Sequence, residues 1–230
     1  RELGVAVTNV PGYATDSVAE LAVGMIIALM RRMVSCDNAV RQGRWREGLT
    51  GVELAGKTVG IVGTGATGIA VARRLAAFGC KLLGHSRTQR AEFTRAGGRY
   101  VGLDELLRRA DVVSLHVPLS DETRGLIGAR ELAAMGDGAL LVNTARGPVV
   151  DTAALAGALR AGSLGGAAVD VWDAEPAGRD NPLLDAPRTL LLPHVAFATA
   201  EALERKASIT LDCIRSFLDG GRLHRVDGPV

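Results

Sequence analysis

Short apolar runs alternate with amphipathic stretches from Lys57 onward, and this pattern constrains the fold more than any other feature of the sequence. The runs predicted to be strands are 58–62, 81–83, 112–117, 139–143, 166–171 and 189–192. Helices are predicted between them, near 66–78, 89–96, 103–109, 129–134 and 151–161. Nearly continuous apolar strands separated by helices are typical of a parallel sheet that is buried on both faces. The sequence therefore predicts an α/β fold with a doubly wound parallel sheet of the Rossmann type.

Helices are also predicted on either side of this pattern. Apolar positions from Val18 to Met33 recur at helical spacing, which predicts one long buried helix, and Ser17 and Glu20 are predicted to form a capping box at its start. A short strand is predicted before it, at 5–8. A last helix is predicted at 199–218, followed by a tail at 222–226 that packs elsewhere.

Composition excludes several classes of function. The 230 residues are 47% hydrophobic and 23% charged, as in an ordinary soluble globular protein. The 27 basic and 25 acidic residues are spread along the chain, so no concentrated field indicates nucleic acid or an anionic membrane. The longest apolar run, 19–30, is about half of the ~20 residues that a membrane crossing needs, and no signal peptide precedes it. We expect a cytoplasmic protein with neither nucleic acid nor membrane as a partner.

The cysteines show no sign of a disulfide framework or a metal site. Cys36, Cys80 and Cys213 lie far apart and have neither a CxxC pair nor metal-ligand spacing. We expect three reduced, buried thiols and no bound metal.

A glycine-rich turn predicts a phosphate-binding loop. In "VGIVGTGATG" the glycines Gly63, Gly65 and Gly68 form a GxGxxG pattern between a predicted strand and a predicted helix. The first glycine permits the tight turn, the second lets the backbone approach a pyrophosphate, and the third lets the helix pack closely on the strand. A ligand-free glycine-rich turn is the alternative. A second strand about 20 residues later favours dinucleotide binding.

The tip of that second strand bears on the choice of cofactor. An Asp or Glu normally stands there to bind the ribose diol of NAD, but this chain has Ser86. Together with Arg87 and Thr88 it offers hydroxyl donors and a planar cation suited to a 2′-phosphate, and Arg90 adds a second cation. These residues predict that NADP is preferred and NAD possible. The alternative is that Arg87 is a solvated charge and the site does not discriminate.

Reactive side chains follow several of the predicted strands. Ligands of doubly wound sheets bind at the carboxyl ends of the strands. The candidates at those ends are His116, Thr144, Arg146, Asp170, Glu175 and His194. His116 is expected to line the cofactor site or to pack there rather than to do chemistry, whereas His85 and His224 are expected at the surface.

Three of these candidates form a chemically coherent set for the reduction of a 2-keto acid. Arg146 would hold the substrate carboxylate and polarise the carbonyl, as the rigid fork of a guanidinium allows. His194 would donate the proton, and Glu175 would favour its protonated form and fix its tautomer. Each residue also has a structural alternative: a turn histidine, an arginine that bonds strand carbonyls and a solvated glutamate. Their joint position at strand tips favours the catalytic interpretation.

At this point the sequence resembles the D-isomer-specific 2-hydroxyacid dehydrogenase family over nearly its whole length. The segments that carry the resemblance, in the family's order, are "NVPGYATDSVAE", "VGIVGTGATG", "LHVPLSDETRGLIG", "LVNTARGPVVDTAAL", "AAVDVWDAEP", "NPLL" and "LLPHVAFAT". The resemblance implies that Arg146, Glu175 and His194 fill the family's catalytic positions. It implies that Asp170 lies beside the nicotinamide carboxamide. The residues expected to bind cofactor are Gly63, Gly65, Ala66, Thr67, Gly68, Ser86, Arg87, Thr88, His116, Val117, Pro118, Thr123, Thr144, Ala145, Asp170 and His194.

The sequence also departs from the family pattern. Ala66 stands where many members carry a basic residue, and Thr67 stands where many carry an aliphatic one. At the position of Ser86 the sequence resembles the NADP-using glyoxylate and hydroxypyruvate reductases. Members usually have roughly a hundred further residues before the first strand of this chain. The resemblance thus implies an N-terminally truncated chain: a dinucleotide-binding domain at 10–197, with 1–9 and 198–230 as remnants of a flavodoxin-like substrate domain.

The expected function is hydride transfer between NAD(P)H and a small 2-keto acid or D-2-hydroxy acid, similar to a glyoxylate or hydroxypyruvate reductase. Two alternatives stay open: a cofactor-sensing corepressor-type binding protein on the same scaffold, and an inactive fragment. A truncated chain is expected to bind cofactor but to turn over poorly, because part of the cleft that positions the substrate would be missing. Relatives commonly form homodimers, and the segment 41–47 around Trp45 is expected to be a surface or partner contact.

Overall fold

The computed structural model describes residues 5–227 and contains a seven-stranded, all-parallel sheet. The strands are β1 Thr58–Val62, β2 Lys81–His85, β3 Gly98–Tyr100, β4 Val112–Leu115, β5 Leu140–Asn143, β6 Gly166–Val169 and β7 Thr189–Leu191. The helices are α1 Thr15–Met30, α2 Met33–Arg41, α3 Ala66–Ala77, α4 Ala91–Arg95, α5 Leu103–Arg109, α6 Ala129–Ala134, α7 Thr152–Ala161 and α8 Ala200–Leu218, with a 3-10 turn at Gly147–Val149.

Helices cover both faces of the sheet, as predicted. Successive strand residues point to opposite faces, so Leu141 of β5 packs in the cluster built with α5, α6 and α7, whereas Val142 packs with α1 and α3. Burial on both sides explains the apolar, non-alternating strand sequences. The doubly wound α/β fold is confirmed.

The strand order places a crevice between β1 and β4. The sheet runs β3-β2-β1-β4-β5-β6-β7, so the chain moves outward from β1 in one direction and then returns to begin again at β4. Backbone hydrogen bonds continue past the strand ends, from Gly63 N–H to the His85 carbonyl at 2.8 Å and from His116 N–H to the Val62 carbonyl at 2.7 Å. Ligands of such sheets bind at the carboxyl ends of the strands where the order reverses.

The predicted capping box is wrong. Helix α1 begins at Thr15 with Ala14 as its N-cap, so Ser17 already lies inside the helix. Ser17 is buried, and its hydroxyl lies 2.9 Å from the Thr199 hydroxyl that caps α8. Glu20 pairs instead with Arg74 at 3.1 Å. A serine followed by a glutamate fits a cap and a helix interior equally well, and here tertiary contacts decided.

The predicted single helix through Met33 is also wrong. Helix α1 ends at Met30, and Arg32 adopts a left-handed backbone with φ of 54° before α2 begins. Met33 is about half exposed, at 49%. The apolar spacing continues through a turn that changes the direction of the chain.

The strand predicted at 5–8 is reduced to one antiparallel bridge. Thr8 pairs with Arg225, and the flanking bonds join Asn9 N–H to the His224 carbonyl and Val226 N–H to the Val7 carbonyl. The tail predicted at 222–226 therefore packs on 7–9. The outer parts of the predicted terminal segments, 1–4 and 228–230, lie outside the described residues.

Smaller differences concern lengths and exposure. Strand β3 was not predicted, because three residues are too few to show a periodicity. The strands β4, β6 and β7 end one or two residues earlier than predicted. All three cysteines are free, but only Cys213 is buried, so the expectation of burial is wrong for Cys36 and Cys80. Within residues 5–227, no helix combines the length and apolar character that a membrane crossing needs.

Candidate cofactor and active site

The glycine loop has no space for a side chain at Gly63 or Gly68, but it has space at Gly65. Gly63 has φ of +95°, and a Cβ added there would lie 2.6 Å from the His116 carbonyl oxygen. A Cβ at Gly68 would lie 2.0 Å from the Gly63 carbonyl oxygen, so the close packing of α3 on the loop requires glycine. A Cβ at Gly65 would meet nothing within 4 Å. The open side of the loop is therefore at Gly65.

Helix α3 presents its amino end on this open side. Gly65 is its N-cap, and within the described chain no side chain caps the helix and no acidic residue stands in its first turn. The first backbone N–H groups, at Ala66 and Thr67, are therefore free to bind an anion, assisted by the helix dipole. This geometry fits the diphosphate of a dinucleotide.

The loop after β2 carries the hydroxyls and cations predicted for a 2′-phosphate. Ser86 is half-buried, while Arg87, Thr88 and Arg90 are exposed. Glu122 lies in the loop after β4. Its pKa is lowered, chiefly by a hydrogen bond from the Ser120 hydroxyl and to a smaller extent by the charge of Arg87. The contact of the loop after β2 with a cofactor stays a prediction.

His116 lies at the end of β4 as a neutral packing residue. Its Nε2 is 2.9 Å from the Ser114 hydroxyl, and burial lowers its pKa to about 4. An imidazole with this pKa is uncharged at neutral pH. A neutral ring is not the protonated acid that the reaction needs, and the contact of His116 with the cofactor stays a prediction.

The segment after His116 closes this side of the crevice. Val117 packs against Gly63, since its Cγ1 would lie 2.9 Å from a Cβ added there. The Thr123 hydroxyl donates to the Pro118 carbonyl at 2.6 Å and accepts from Ser120 N–H at 2.8 Å. Thr123 therefore stabilises the turn in this structure, and its contact with cofactor stays a prediction.

The loop after β5 contains a buried hydroxyl without a partner. Thr144 is 8% exposed, and its Oγ1 is the one buried side-chain oxygen or nitrogen that lacks a hydrogen bond within residues 5–227. Leaving such a group unpaired is unfavourable, so a bound ligand that hydrogen-bonds it would gain affinity. The unpaired hydroxyl of Thr144, directly after β5, is compatible with the cofactor contact predicted for it, and Ala145 follows it as a buried residue.

Asn143 holds the loop that carries Arg146, and sequence reasoning missed it. Its side-chain Nδ2 donates to the Arg146 carbonyl at 2.9 Å, and its Oδ1 accepts from Ala145 N–H at 3.0 Å. An asparagine at the end of a strand, followed by Thr-Ala-Arg-Gly-Pro, is a turn signal that could have identified it.

Arg146 is exposed at the carboxyl end of β5. One of its guanidinium nitrogens, Nη1, donates to the Ala145 carbonyl at 2.6 Å, which leaves most of its five N–H groups for a ligand. A Cβ added to the next residue, Gly147, would lie 2.1 Å from the backbone of Trp172. This contact joins the loop after β5 to the loop after β6.

Glu175 and His194 form a hydrogen-bonded pair. His194 Nδ1 lies 2.7 Å from Glu175 Oε2, and Trp172 N–H donates to Glu175 Oε1 at 3.2 Å. The pKa of Glu175 is lowered, chiefly by the hydrogen bond from His194 and to smaller extents by Trp172 N–H and the charges of His194 and Arg146. Because an ionised carboxylate only accepts, Nδ1 carries the proton and Nε2 is the atom left for substrate.

Asp170 holds the turn that carries His194. The residue is fully buried, and its two carboxylate oxygens accept from Val195 N–H and Ala196 N–H, each at 2.9 Å. His194 itself has φ of 56°, a left-handed conformation that needs such support. The structure assigns Asp170 to the positioning of His194, and its predicted contact with the nicotinamide carboxamide stays a prediction.

Trp172 supports the same region and was likewise missed from the sequence. Its indole Nε1–H donates to the Leu192 carbonyl at 2.9 Å, which ties the loop after β6 to the segment before His194. A cavity of about 470 Å³ lies beside the Glu175–His194 pair and is lined mainly by Trp172, Leu184, Leu191, Leu192 and Pro193. Another cavity, of about 480 Å³, lies at the amino ends of the strands, away from these reactive residues.

In comparisons with known proteins, the chain is similar to nicotinamide-dependent dehydrogenases. A family profile described as "D-isomer specific 2-hydroxyacid dehydrogenase, NAD binding domain" matches residues 23–196. The chain is 44% identical over 224 residues to a glyoxylate reductase of Thermofilum pendens, covering 94% of this chain and 66% of that protein. The chain spans about two thirds of the length of such curated relatives.

Solved structures agree with the sequence comparison. A glyoxylate reductase from Paecilomyes thermophila superposes with a TM-score of 0.90 at 37% identity, covering 98% of this chain and 69% of that one. A D-lactate dehydrogenase from Aquifex aeolicus, complexed with NAD and lactic acid, superposes with a TM-score of 0.93 at 33% identity, covering 100% of this chain and 75% of that one.

Proposed function

Because the chain belongs to the D-isomer specific 2-hydroxyacid dehydrogenase family, we propose that the protein is an oxidoreductase that transfers a hydride between NAD(P)H and a small 2-keto acid. The product of reduction is the D-2-hydroxy acid, and we expect glyoxylate or hydroxypyruvate as substrate because similar proteins are named glyoxylate reductase and glyoxylate/hydroxypyruvate reductase. One observation carries the proposal: His194 Nδ1 lies 2.7 Å from Glu175 Oε2, in the loops that follow the strands of the sheet.

The three residues have distinct roles in this reaction. The free N–H groups of Arg146 bind the substrate carboxylate and polarise the keto oxygen. His194 donates a proton from Nε2 to that oxygen, because its Nδ1 is bonded to Glu175. Glu175 stabilises the protonated imidazole and fixes its orientation. When bound, a reduced nicotinamide supplies the hydride.

The cofactor residues are assigned in three groups. The α3 amino end, from Gly65 to Gly68, binds the pyrophosphate, and Gly63 makes the turn. Ser86, Arg87 and Thr88 bind the 2′-phosphate of NADP. We assign the remaining part of the cofactor site to His116, Val117, Pro118, Thr123, Thr144, Ala145, Asp170 and His194.

We assign residues 10–197 to the dinucleotide-binding domain and 1–9 with 198–230 to a substrate-binding domain. Two observations support this division. The bridge between Thr8 and Arg225 joins the two terminal segments to each other. Helix α8 exposes an apolar side at Leu211, Ile214 and Phe217, which suits packing against further parts of a substrate-binding domain.

A homodimer is proposed through α2 and the loop that follows it. This segment exposes Met33, Val40, Trp45 and Val52, and Trp45 is 68% exposed. An exposed apolar stretch of this extent favours a protein contact.

A substrate screen tests the proposed reaction. The purified protein is assayed with glyoxylate, hydroxypyruvate and pyruvate, and oxidation of NADPH and of NADH is followed for each. We expect turnover with at least one of these 2-keto acids and formation of the D-isomer where the product is chiral. Absence of turnover with all three, together with cofactor binding, would contradict the proposed reaction and favour either the cofactor-sensing or the inactive alternative.

Replacing Arg87 with Ala is expected to lower kcat/KM for NADPH by about tenfold or more and to change that for NADH by less than about threefold. The guanidinium serves the 2′-phosphate, which NADH lacks. Steady-state kinetics with both cofactors measure the effect, and Arg108→Ala, on the exposed side of α5, is the matched control. A wild-type protein that prefers NADH would defeat the assignment of NADP.

We expect reductase activity to be lost as pH rises. In Glu175→Gln the midpoint of this loss is expected to lie about one pH unit lower than in the wild type. The pKa of Glu175 is lowered, so the wild-type residue carries its negative charge throughout the working range, 2.7 Å from His194 Nδ1. Gln keeps the size but removes the charge. Because the pKa of Glu175 is lowered in the folded protein, any stability that the half-exposed Glu175–His194 pair adds is present above the ordinary carboxylate pKa and is lost as pH falls.

The pH profile of kcat/KM measures this shift. Glu204→Gln, on the exposed surface of α8, is the matched control and should leave the profile unchanged. An unchanged profile in Glu175→Gln would mean that the carboxylate only packs beside His194.

A further inference from the structure

Tyr100 touches both loops that border the adenosine end of the proposed cofactor site. Its hydroxyl lies 2.7 Å from the hydroxyl of Thr64, which stands between Gly63 and Gly65 in the glycine loop. The same hydroxyl accepts a hydrogen bond from Arg90 N–H at 2.9 Å, at the end of the loop that follows β2. One phenol oxygen therefore joins the pyrophosphate loop to the loop of Ser86, Arg87 and Thr88.

The ring of Tyr100 is held firmly in place. Its centroid lies 5.0 Å from that of Phe93, which is fully buried. A Cβ added at Gly84 or Gly98 would lie 2.4 or 2.3 Å from the Phe93 ring, so two glycines on adjacent strands make room for that ring. Tyr100 stands beside Gly84 in the register of β2 and β3. Packing of this kind fixes the position of the phenol oxygen.

The hydrogen bonds of the Tyr100 hydroxyl connect two loops that differ in burial, the glycine loop and the loop after β2. Thr64 is 1% exposed and belongs to the rigid turn after β1, whereas the loop from Arg87 to Arg90 is exposed. A hydrogen bond between a buried, packed group and an exposed loop restricts the loop more than the turn. The two hydrogen bonds of the Tyr100 hydroxyl therefore fix the spacing between the two loops.

We propose that Tyr100 is a specificity-determining positioning residue: its hydroxyl holds the loop after β2 at the distance from the glycine loop at which a 2′-phosphate and a pyrophosphate are bound together. This inference rests on the proposed function, because it needs a nicotinamide dinucleotide in the crevice. It assigns cofactor preference to a residue that lies outside both loops. The preorganised loop favours NADPH, whereas NADH lacks the 2′-phosphate that the loop is placed to bind.

The test is Tyr100→Phe in the purified protein, which keeps the ring against Phe93 and removes only the hydroxyl. Equilibrium titrations with NADPH, NADH, 2′,5′-ADP and 5′-AMP give the dissociation constants without turnover. We expect the constants for NADPH and 2′,5′-ADP to rise about five- to tenfold, those for NADH and 5′-AMP to change less than about twofold, and kcat to stay near the wild-type value.

Three further single variants and one double variant separate a positioning role from a general loss of stability. Tyr13→Phe removes the other tyrosine hydroxyl of the chain, at the start of α1, and should change neither set of constants. Thr64→Val removes the partner of Tyr100 in the glycine loop, and the double variant should lose less than the sum of the two single effects. Thr64→Ser keeps the hydroxyl and should restore wild-type discrimination.

The outcomes distinguish this inference from the proposed function. If Tyr100→Phe binds all four ligands more weakly by the same factor, or binds none of them more weakly, the proposed role of Tyr100 is overturned. In that case the proposed cofactor still stands if the wild-type protein prefers NADPH. A wild-type protein that binds no nicotinamide dinucleotide overturns the proposed function and this inference with it. A selective loss of the two 2′-phosphorylated ligands supports both.

Discussion

Replacing His194 with Asn is expected to lower kcat for the reduction of glyoxylate by about 10²- to 10⁴-fold, while the dissociation constant for NADPH stays within about twofold of the wild-type value. His194 supplies the proton from Nε2, whereas the ring of His116 is neutral at working pH because desolvation lowers its pKa to about 4. Single-turnover and steady-state rates, with a titration of NADPH, measure the effect.

His224→Asn provides a matched control. Both histidines have a positive φ, 56° at His194 and 52° at His224, and Asn is among the residues that accept this conformation. Backbone strain is therefore alike in the two variants, whereas only His194 pairs with Glu175. Equal activity in His194→Asn and wild type would remove the histidine from the chemistry. Activity lost in His194→Asn alone would also exclude the cofactor-sensing and inactive alternatives.

Replacing Arg146 with Lys is expected to lower kcat/KM for the 2-keto acid by about 10²- to 10³-fold, with both a higher KM and a lower kcat. Lysine retains the charge but loses the planar fork that can bind a carboxylate while polarising the adjacent carbonyl. The Asn143 side chain would still hold the loop, since it bonds the backbone of residue 146 rather than its side chain.

Steady-state kinetics on glyoxylate, with both substrate and cofactor varied, measure the effect of Arg146→Lys. KM for the cofactor should stay near the wild-type value, because Arg146 is assigned to substrate. Arg108→Lys on α5 is the control for an exposed arginine remote from the crevice. A fall in kcat/KM of less than about threefold would show that charge alone is sufficient there and would contradict the bidentate role.

Much of the architecture was accessible from sequence because the signals are local. Apolar strands of four or five residues and helices of regular spacing identify a parallel sheet, and a GxGxxG turn identifies the end of its first strand. The prediction failed where the same residue types serve two purposes. Ser17 could cap a helix or bond Thr199 from inside one, and only the packing of α1 against α8 decided this.

The candidate site was accessible in part for a topological reason. All strands of a parallel sheet end at the same edge, so Arg146, Glu175 and His194 could be expected near one another without knowledge of any distance. The residues that hold them could not be found this way. Asn143, Asp170 and Trp172 act through hydrogen bonds to backbone groups, and those bonds leave no periodic trace in the sequence.

By itself, the amino-acid sequence determined the layered α/β arrangement, the position of the phosphate loop and the chemical types available at the strand ends. It could do so because periodicity, glycine placement and strand direction are properties of short segments. Only the tertiary structure decided which groups pair: Glu175 with His194, Asp170 with the turn after His194, and Tyr100 with Thr64 and Arg90. Hydrogen bonds need their atoms within about 3 Å, and for partners far apart along the chain that spacing is set by packing.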